Sequence, residues 1–147
     1  MLRFAGQAAD AVGINASLRA GELGRHAVID LSEDRVETKV GWVREGARSA
    51  GRDPDGIELE MNNWLVRITR SASDAEQFLT RIAARFDVDP VVMARSPSVL
   101  VGTVDQCRDR LEERRDRFGI SFFQLDAGFP PDDVEALAPL VGSLAGR

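Results

Sequence analysis

Residues Val99 to Asp126 read VLVGTVDQCRDRLEERRDRFGISFFQLD. The run divides into a loop, a capped helix, a glycine stop and a buried strand. Thr103 is followed three residues later by Gln106. This is capping-box spacing, in which the Thr hydroxyl and the Gln side chain answer the free N–H groups of the first turn. Val104, Cys107, Leu111 and Phe118 keep roughly helical spacing, and Arg108 to Arg117 supply a charged outer face. Gly119 stands where a left-handed C-terminal cap is wanted. Ile120 to Leu125 is a short apolar run of β-prone residues that ends at Asp126. A helix leading directly into a buried strand is the repeating half of an αβ architecture.

Composition narrows the class. The chain has 147 residues, the size of one domain, and we read 1–147 as a single domain. Apolar residues make up 44% and charged residues 29%, which excludes a disordered or membrane-embedded chain. No apolar run approaches the roughly 20 residues of a spanning helix. The N-terminus, MLRFAGQ, lacks the apolar core and cleavage site of a signal peptide. The single cysteine, Cys107, excludes an internal disulfide and fits a reducing cytoplasm. Its place in a helical stripe marks a packed thiol, not a nucleophile. The net charge is −5 with acids and bases interspersed, so there is no basic footprint for nucleic acid. Asp109, Glu112, Glu113 and Asp116 interrupt the arginines of 108–117, as on a solvated helix face.

Along the chain, Met1 to Ala9 reads as a helix with no capping residue before it, and Val12-Gly13-Ile14 as a short strand ending at Asn15. Ala16 to Leu31 reads mostly as loop, and loops of that length are often functional. Asp30 or Ser32 caps a helix that runs to about Ala50 through Val36, Val40, Val43 and Ala47. The turn Gly51 to Gly56 leads to a strand over Ile57 to Thr69. Its apolar phase slips from Leu59 and Met61 to Trp64, Val66 and Ile68, the mark of a β-bulge or bend. Ser73 with Glu76 predicts a second capping box. Asp89-Pro90 starts a short helix and Ser96-Pro97 breaks it. Asp126 to Pro131 reads as loop, and Asp132 opens a terminal helix with Pro139 inside it.

The order is α-β-α-β-α(α)-β-α, with parallel pairing and right-handed crossovers. Three strands are too few for a barrel, which needs eight. Helices can cover one sheet face. The other, with Phe122, Trp64 and Met61, is expected to lie open. Either the chain pairs with a second copy or it is part of a larger barrel.

The stretch GTVDQCRDRLEERRDRFGISFFQLD resembles the C-terminal signature of luciferase-like flavin or deazaflavin oxidoreductases. LRFAGQAADAVGIN is similar to a helix-plus-strand segment of the same family. TKVGWVREGA and Ser96 to Gly102 are similar to a subfamily that uses coenzyme F420. The resemblance covers nearly the whole chain and implies a partial (β/α) barrel of the luciferase-like TIM-barrel type, with about three parallel strands and flanking helices. It implies hydride transfer or monooxygenation with coenzyme F420, or alternatively FMN, and a small-molecule substrate. It implies an oxidoreductase; the charge and the apolar runs already speak against a nucleic-acid or membrane partner, and a homo-oligomer is expected. In the family this segment is the C-terminal part of the barrel. The N-terminal strands, which carry much of the substrate pocket and the ring contacts, are absent from this sequence.

Cofactor pockets of such barrels sit at the C-terminal strand ends. Asn15 there serves either as a hydrogen-bonding cofactor ligand or as a strand-end turn residue. Arg19 follows by a few residues, either to meet a phosphate or cofactor tail or as a solvated loop arginine. Gly102 and Thr103 open a helix whose free N–H groups suit an anion, or are simply capped. Asn62 and Asn63 face the lumen or mark the bulge; Trp64 stacks on a flavin ring or packs in the core. His26, the one histidine, has no Asp or Cys beside it, so no metal site or triad can be built on it. A general base has to be a carboxylate such as Asp126, and no catalytic residue is assigned. Two functions follow: a luciferase-like oxidoreductase, or a catalytically silent half-barrel that dimerises, binds a flavin-like ligand, or holds no cofactor. An unrelated αβ binding module is the third.

Overall fold

In the computed structural model, the described residues are 1–18, 21, 23–126 and 134–145. They form helices α1 (Leu2–Ala8), α2 (Arg25–Asp30), α3 (Glu33–Ser49), α4 (Ala72–Arg85), α5 (Pro90–Arg95), α6 (Val104–Phe118) and α7 (Val134–Leu144). The strands are β1 (Ala11–Gly13), β2 (Glu58–Asn63), β3 (Leu65–Ile68), β4 (Val99–Gly102) and β5 (Ile120–Leu125). All pairing is parallel, in two sheets ordered β1-β2-β5 and β3-β4, and the described strands do not close into a barrel. The α/β class and the partial-barrel architecture are as expected; the strand count is not.

The two sheets differ in how they are covered. Behind β1-β2-β5, Val36, Val40, Val43 and Ala47 of α3 meet Val12, Leu59, Met61 and Ile120. Helix α1 packs closely against α3: a Cβ on Gly6 would strike the Val43 carbonyl, and one on Gly46 the Arg3 carbonyl. The opposite face of this sheet is uncovered among the described residues. The sheet β3-β4 is instead covered on both sides. Ala75, Leu79, Ala83 and Met93 pack on Val99 and Val101, while Cys107, Leu111, Leu137 and Leu140 pack on Val66 and Leu100.

This double burial explains the strand missed in the sequence. Val99, Leu100 and Val101 are all fully buried. A strand buried on both faces reads as a continuous apolar run with no alternation, so four residues cannot be told from a loop or a helix fragment. The run Ile57 to Thr69 is likewise two strands, broken by a bend at Trp64 as the phase slip predicts. A further register shift lies lower, where Leu59 pairs with Ile120 but Glu60 with Phe122, leaving Ser121 as the extra residue.

Local signals were mostly reliable. Thr103 accepts from the Gln106 N–H at 3.3 Å, and Gln106 Oε1 accepts from the Thr103 N–H at 3.0 Å. Gly119 has φ +75°, the left-handed conformation its position demands. Three expectations are corrected or refined. Within 16–31, read mostly as loop, Arg25–Asp30 forms the helix α2, which the reading did not single out. The cap of α4 is Ser71, whose hydroxyl accepts from the Asp74 N–H at 3.1 Å, while Ser73 lies inside the helix. Met61 is not on the open face but buried behind the sheet; Trp64 is half-buried, and Phe122 is 51% exposed. The stretch opening the terminal helix at Asp132 lies outside the described residues. Among those residues no helix is long and apolar enough to cross a membrane.

Candidate functional site

The period of two in β2 sorts its residues cleanly. Leu59, Met61 and Asn63 point to the covered side and are buried; Glu58, Glu60 and Asn62 point to the uncovered side. Register then aligns neighbours. Gly13, Glu60 and Phe122 form one row, and Asn62 pairs with Gln124 in the next. The pairing of β1 continues past its end, with the Ile14 N–H bonding the Glu60 carbonyl at 2.8 Å. Asn15 thus stands beside Asn62. A Cβ on Gly13 would lie 2.9 Å from Asn15 Nδ2, so the Asn15 amide lies over Gly13 on the uncovered face. The C-terminal end of that face therefore carries three carboxamides, Asn62 and Gln124 in register and Asn15 over Gly13, beside the Glu60 carboxylate. Asn62 Oδ1 is buried and has no hydrogen-bond partner. A buried acceptor left unpaired costs about 1–3 kcal/mol, which makes it a place where a ligand donor is favoured.

Beside these carboxamides, Asn15, Ser17, Asp30, Lys39, Trp42 and Arg3 line a cleft of about 480 Å³. Its wall is held by Asp30. The carboxylate accepts from Lys39 Nζ at 2.7 Å, the Ser17 N–H at 2.9 Å and Arg35 Nη2 at 3.1 Å. Lys39 Nζ also donates to the carbonyls of Asn15, at 2.8 Å, and Asp30, at 2.9 Å. Burial alone would push the Asp30 carboxyl up. The hydrogen bonds from Lys39, Ser17 and Arg35, with the Lys39 charge, outweigh it and hold the carboxyl below its ordinary value. The start of the segment after β1 and the C-terminal end of α2 are thereby pinned to α3.

A second polar network lies behind the sheet. Arg114 Nη1 donates to Asn63 Oδ1 at 2.9 Å, and Nη2 to the carbonyls of Val99 at 2.6 Å and Ser96 at 3.4 Å. Asn63 Nδ2 reaches the Gln124 carbonyl at 3.4 Å. Trp64 Nε1 donates to the Ser98 hydroxyl at 3.1 Å, which shares a 2.9 Å bond with Ser96. Burial, with Arg110 close by, pulls the Arg114 guanidinium down to about 10, still charged at neutral pH.

The residues singled out in the sequence do not converge. Asn15 lies in the cleft; Arg19 lies outside the described residues. Gly102 and Thr103 are not in the cleft wall. Gly102 is buried with its carbonyl bonded to the Thr69 N–H at 2.8 Å, and Thr103 is engaged in its capping box. Asn63 is the interior partner of Arg114 rather than a lumen residue, and Trp64 packs edge-on to Phe86 with ring centroids 5.3 Å apart. His26 is exposed in α2. The sequence reading missed Glu60 and Gln124, although the alternation in β2 and β5 carries the signal for both. Among the described residues, no three His, Cys, Asp or Glu gather to hold a metal.

No family model matches the chain, and no curated protein sequence matches it. Solved structures do match in fold. The long-chain alkane monooxygenase LadA aligns with 97% of this chain at TM-score 0.61 and 16% identity, and 38% of LadA is covered. The coenzyme F420-dependent tetrahydromethanopterin reductase of Methanopyrus kandleri aligns with 97% at TM-score 0.59 and 21% identity, with 46% of it covered. Riboflavin lyase RcaE, solved with modified FMN and riboflavin, aligns with 97% at TM-score 0.61 and 16% identity, with 40% covered. The chain thus spans less than half the length of each of these three. It carries the fold of part of a luciferase-like βα barrel.

Proposed function

We propose that this chain is the part of a luciferase-like oxidoreductase that receives a deazaflavin, coenzyme F420, or alternatively FMN, at the uncovered C-terminal end of β1-β2-β5. The observation that carries the reading is the set of carboxamides Asn15, Asn62 and Gln124, with the Asn62 oxygen buried and unpaired. The edge of such a ring offers N–H donors and carbonyl acceptors, and a carboxamide offers the matching pair. Asn62 accepts, while Asn15 and Gln124 donate or accept by rotating. The cleft beside Asn15, with Arg3 and Arg35 on its wall, suits an anionic tail in charge and size. When bound, the cofactor supplies the hydride chemistry. The chain's own share is orientation through the carboxamides and through the Asn15 and Ser17 backbone, held by Lys39 and Asp30. Glu60, beside the carboxamides, is the carboxylate placed to hold or move a proton on the substrate side.

The test is titration of the intact chain with F420 and, separately, FMN, followed by fluorescence quenching together with light-scattering mass. Saturable binding to a defined species, weakened at least about tenfold by Asn62→Leu, supports the reading. Absence of saturable binding of either cofactor overturns it. A second reading, a catalytically silent half-barrel that pairs with another copy, rests on Phe122, 51% exposed on the uncovered face. It requires a dimer that Phe122→Lys dissociates, with no cofactor bound.

A further inference from the structure

The Arg114 side of the molecule holds a feature that the cofactor reading does not use. Arg114 is 5% exposed, and among the described residues its hydrogen-bond acceptors, Asn63 Oδ1 and two carbonyls, are all neutral. Five N–H donors are available on a guanidinium. A buried charge normally has a charged partner. Arg110, one turn away on α6, donates Nη1 to the Val101 carbonyl at 2.8 Å and makes no ion pair among the described residues. Arg95, at the end of α5, is exposed and makes none either. These three, with Arg117, line a cleft of about 420 Å³ between α5 and α6. Its acids are Glu33 and Glu113, and Glu33 is engaged by Arg117 at 3.3 Å. Four arginines against two glutamates make the cleft cationic in a chain whose net charge is −5.

Arg95 and Arg110 also border an adjoining groove of about 340 Å³. The groove runs between α4 and α5; its wall includes Ala75, Leu79, Pro90 and Val91, and its acid, Glu76, faces two arginines, Arg95 and Arg110, in the same lining. Val91 is 60% exposed. A simple anion has no use for this apolar wall, and a neutral apolar molecule has none for the arginines. The frame is fixed before any ligand arrives. The Ser96 hydroxyl donates to the Leu31 carbonyl at 2.8 Å, and the Ser96 and Val99 carbonyls hold the Arg114 fork.

We propose that this pair of cavities is a binding site for an organic anion with an apolar tail, the acidic head meeting Arg95, Arg110 and Arg114 and the tail lying along Leu79 and Val91. The head chemistry is shared by carboxylates and phosphate monoesters, because a guanidinium fork receives either. The tail contributes by removing apolar surface of the groove from water.

Calorimetric titration of the intact chain tests the site with four probes: octanoate, octyl phosphate, octanol and inorganic phosphate, each below its micellar range. At least one of the two octyl anions should bind saturably, at least about tenfold tighter than octanol and than phosphate; which one it is identifies the head. Arg95→Glu, at an exposed position, should weaken that probe about tenfold or more. Val91→Asp should weaken it as well and leave inorganic phosphate unchanged. Circular dichroism verifies that both variants are folded. Octanol binding as tightly as the octyl anions, phosphate alone binding as tightly as octyl phosphate, an unaffected Arg95→Glu variant, or no saturable binding of either octyl anion each overturns the proposal. Cofactor titration is read separately, since Asn62 and the cleft beside Asn15 are not part of this site.

Discussion

Lys39 and Arg114 are each 5% exposed, and they are buried in opposite ways. Lys39 has the Asp30 carboxylate at 2.7 Å and two carbonyls around the same Nζ. Arg114 has an amide oxygen and two carbonyls and no carboxylate in ion-pair contact among the described residues. The first cation is compensated inside the fold and serves to hold the Asn15 and Asp30 backbone. The second is held by neutral oxygens and faces a cationic cleft. Equal burial therefore does not mean equal function. The local charge balance separates a cation paired inside the fold from one that lines a cleft with other arginines.

The sharpest way to break this contrast is Asp30→Ala. It strands the Lys39 ammonium in the interior and should cost about 3–5 kcal/mol in urea unfolding. Replacing both partners, Asp30→Leu with Lys39→Met, should recover most of that loss. A double variant as unstable as the single one would mean that the backbone anchoring, not the stranded charge, dominates. Arg114→Met should cost less, about 1–3 kcal/mol, because it removes a buried charge with no contact ion pair among the described residues while leaving Asn63 Oδ1 and two carbonyls without a donor. If it costs more than Asp30→Ala, the ordering of the two sites is wrong.

Acid separates them next. Asp30 is held below its ordinary value of 3.8 in the folded chain. Its contribution is fully present above that value and is lost as pH falls through the lower, folded value. Acid unfolding of the native chain should therefore steepen below about pH 3.8, and the Asp30→Leu, Lys39→Met variant should lack that component. Arg114, at about 10, contributes nothing to that limb. The smallest effect is at Trp64→Phe, which removes the donor to Ser98 and should cost about 0.5–1.5 kcal/mol while preserving the packing on Phe86.

What the sequence revealed was local. The Thr103–Gln106 box, the Gly119 stop and the Asp89-Pro90 start are contacts within a few residues, and each is present. The bend at Trp64 was legible because a period-two pattern cannot change phase without one. Strand β4 was not, because burial on both faces erases the alternation that identifies a strand. The same limit governed the polar residues. Asn62 and Asn63 are neighbours in sequence but lie on opposite faces, one over an uncovered sheet and one against Arg114, 51 residues away. Nothing in the dipeptide names Arg114. The grouping of Asn15, Asn62 and Gln124 likewise depends on register between three strands, set by backbone pairing rather than by spacing.

Cys107 is fully buried between Leu111, Val66 and Leu140, and burial raises its thiol to about 11. A thiol in that state is almost wholly protonated and out of reach of a reagent at neutral pH. It is also the only one in the chain. Its rate of labelling in the native protein therefore works as a clock for the parting of α6 and α7 from β3-β4, a single-site readout of local opening that needs no engineered probe.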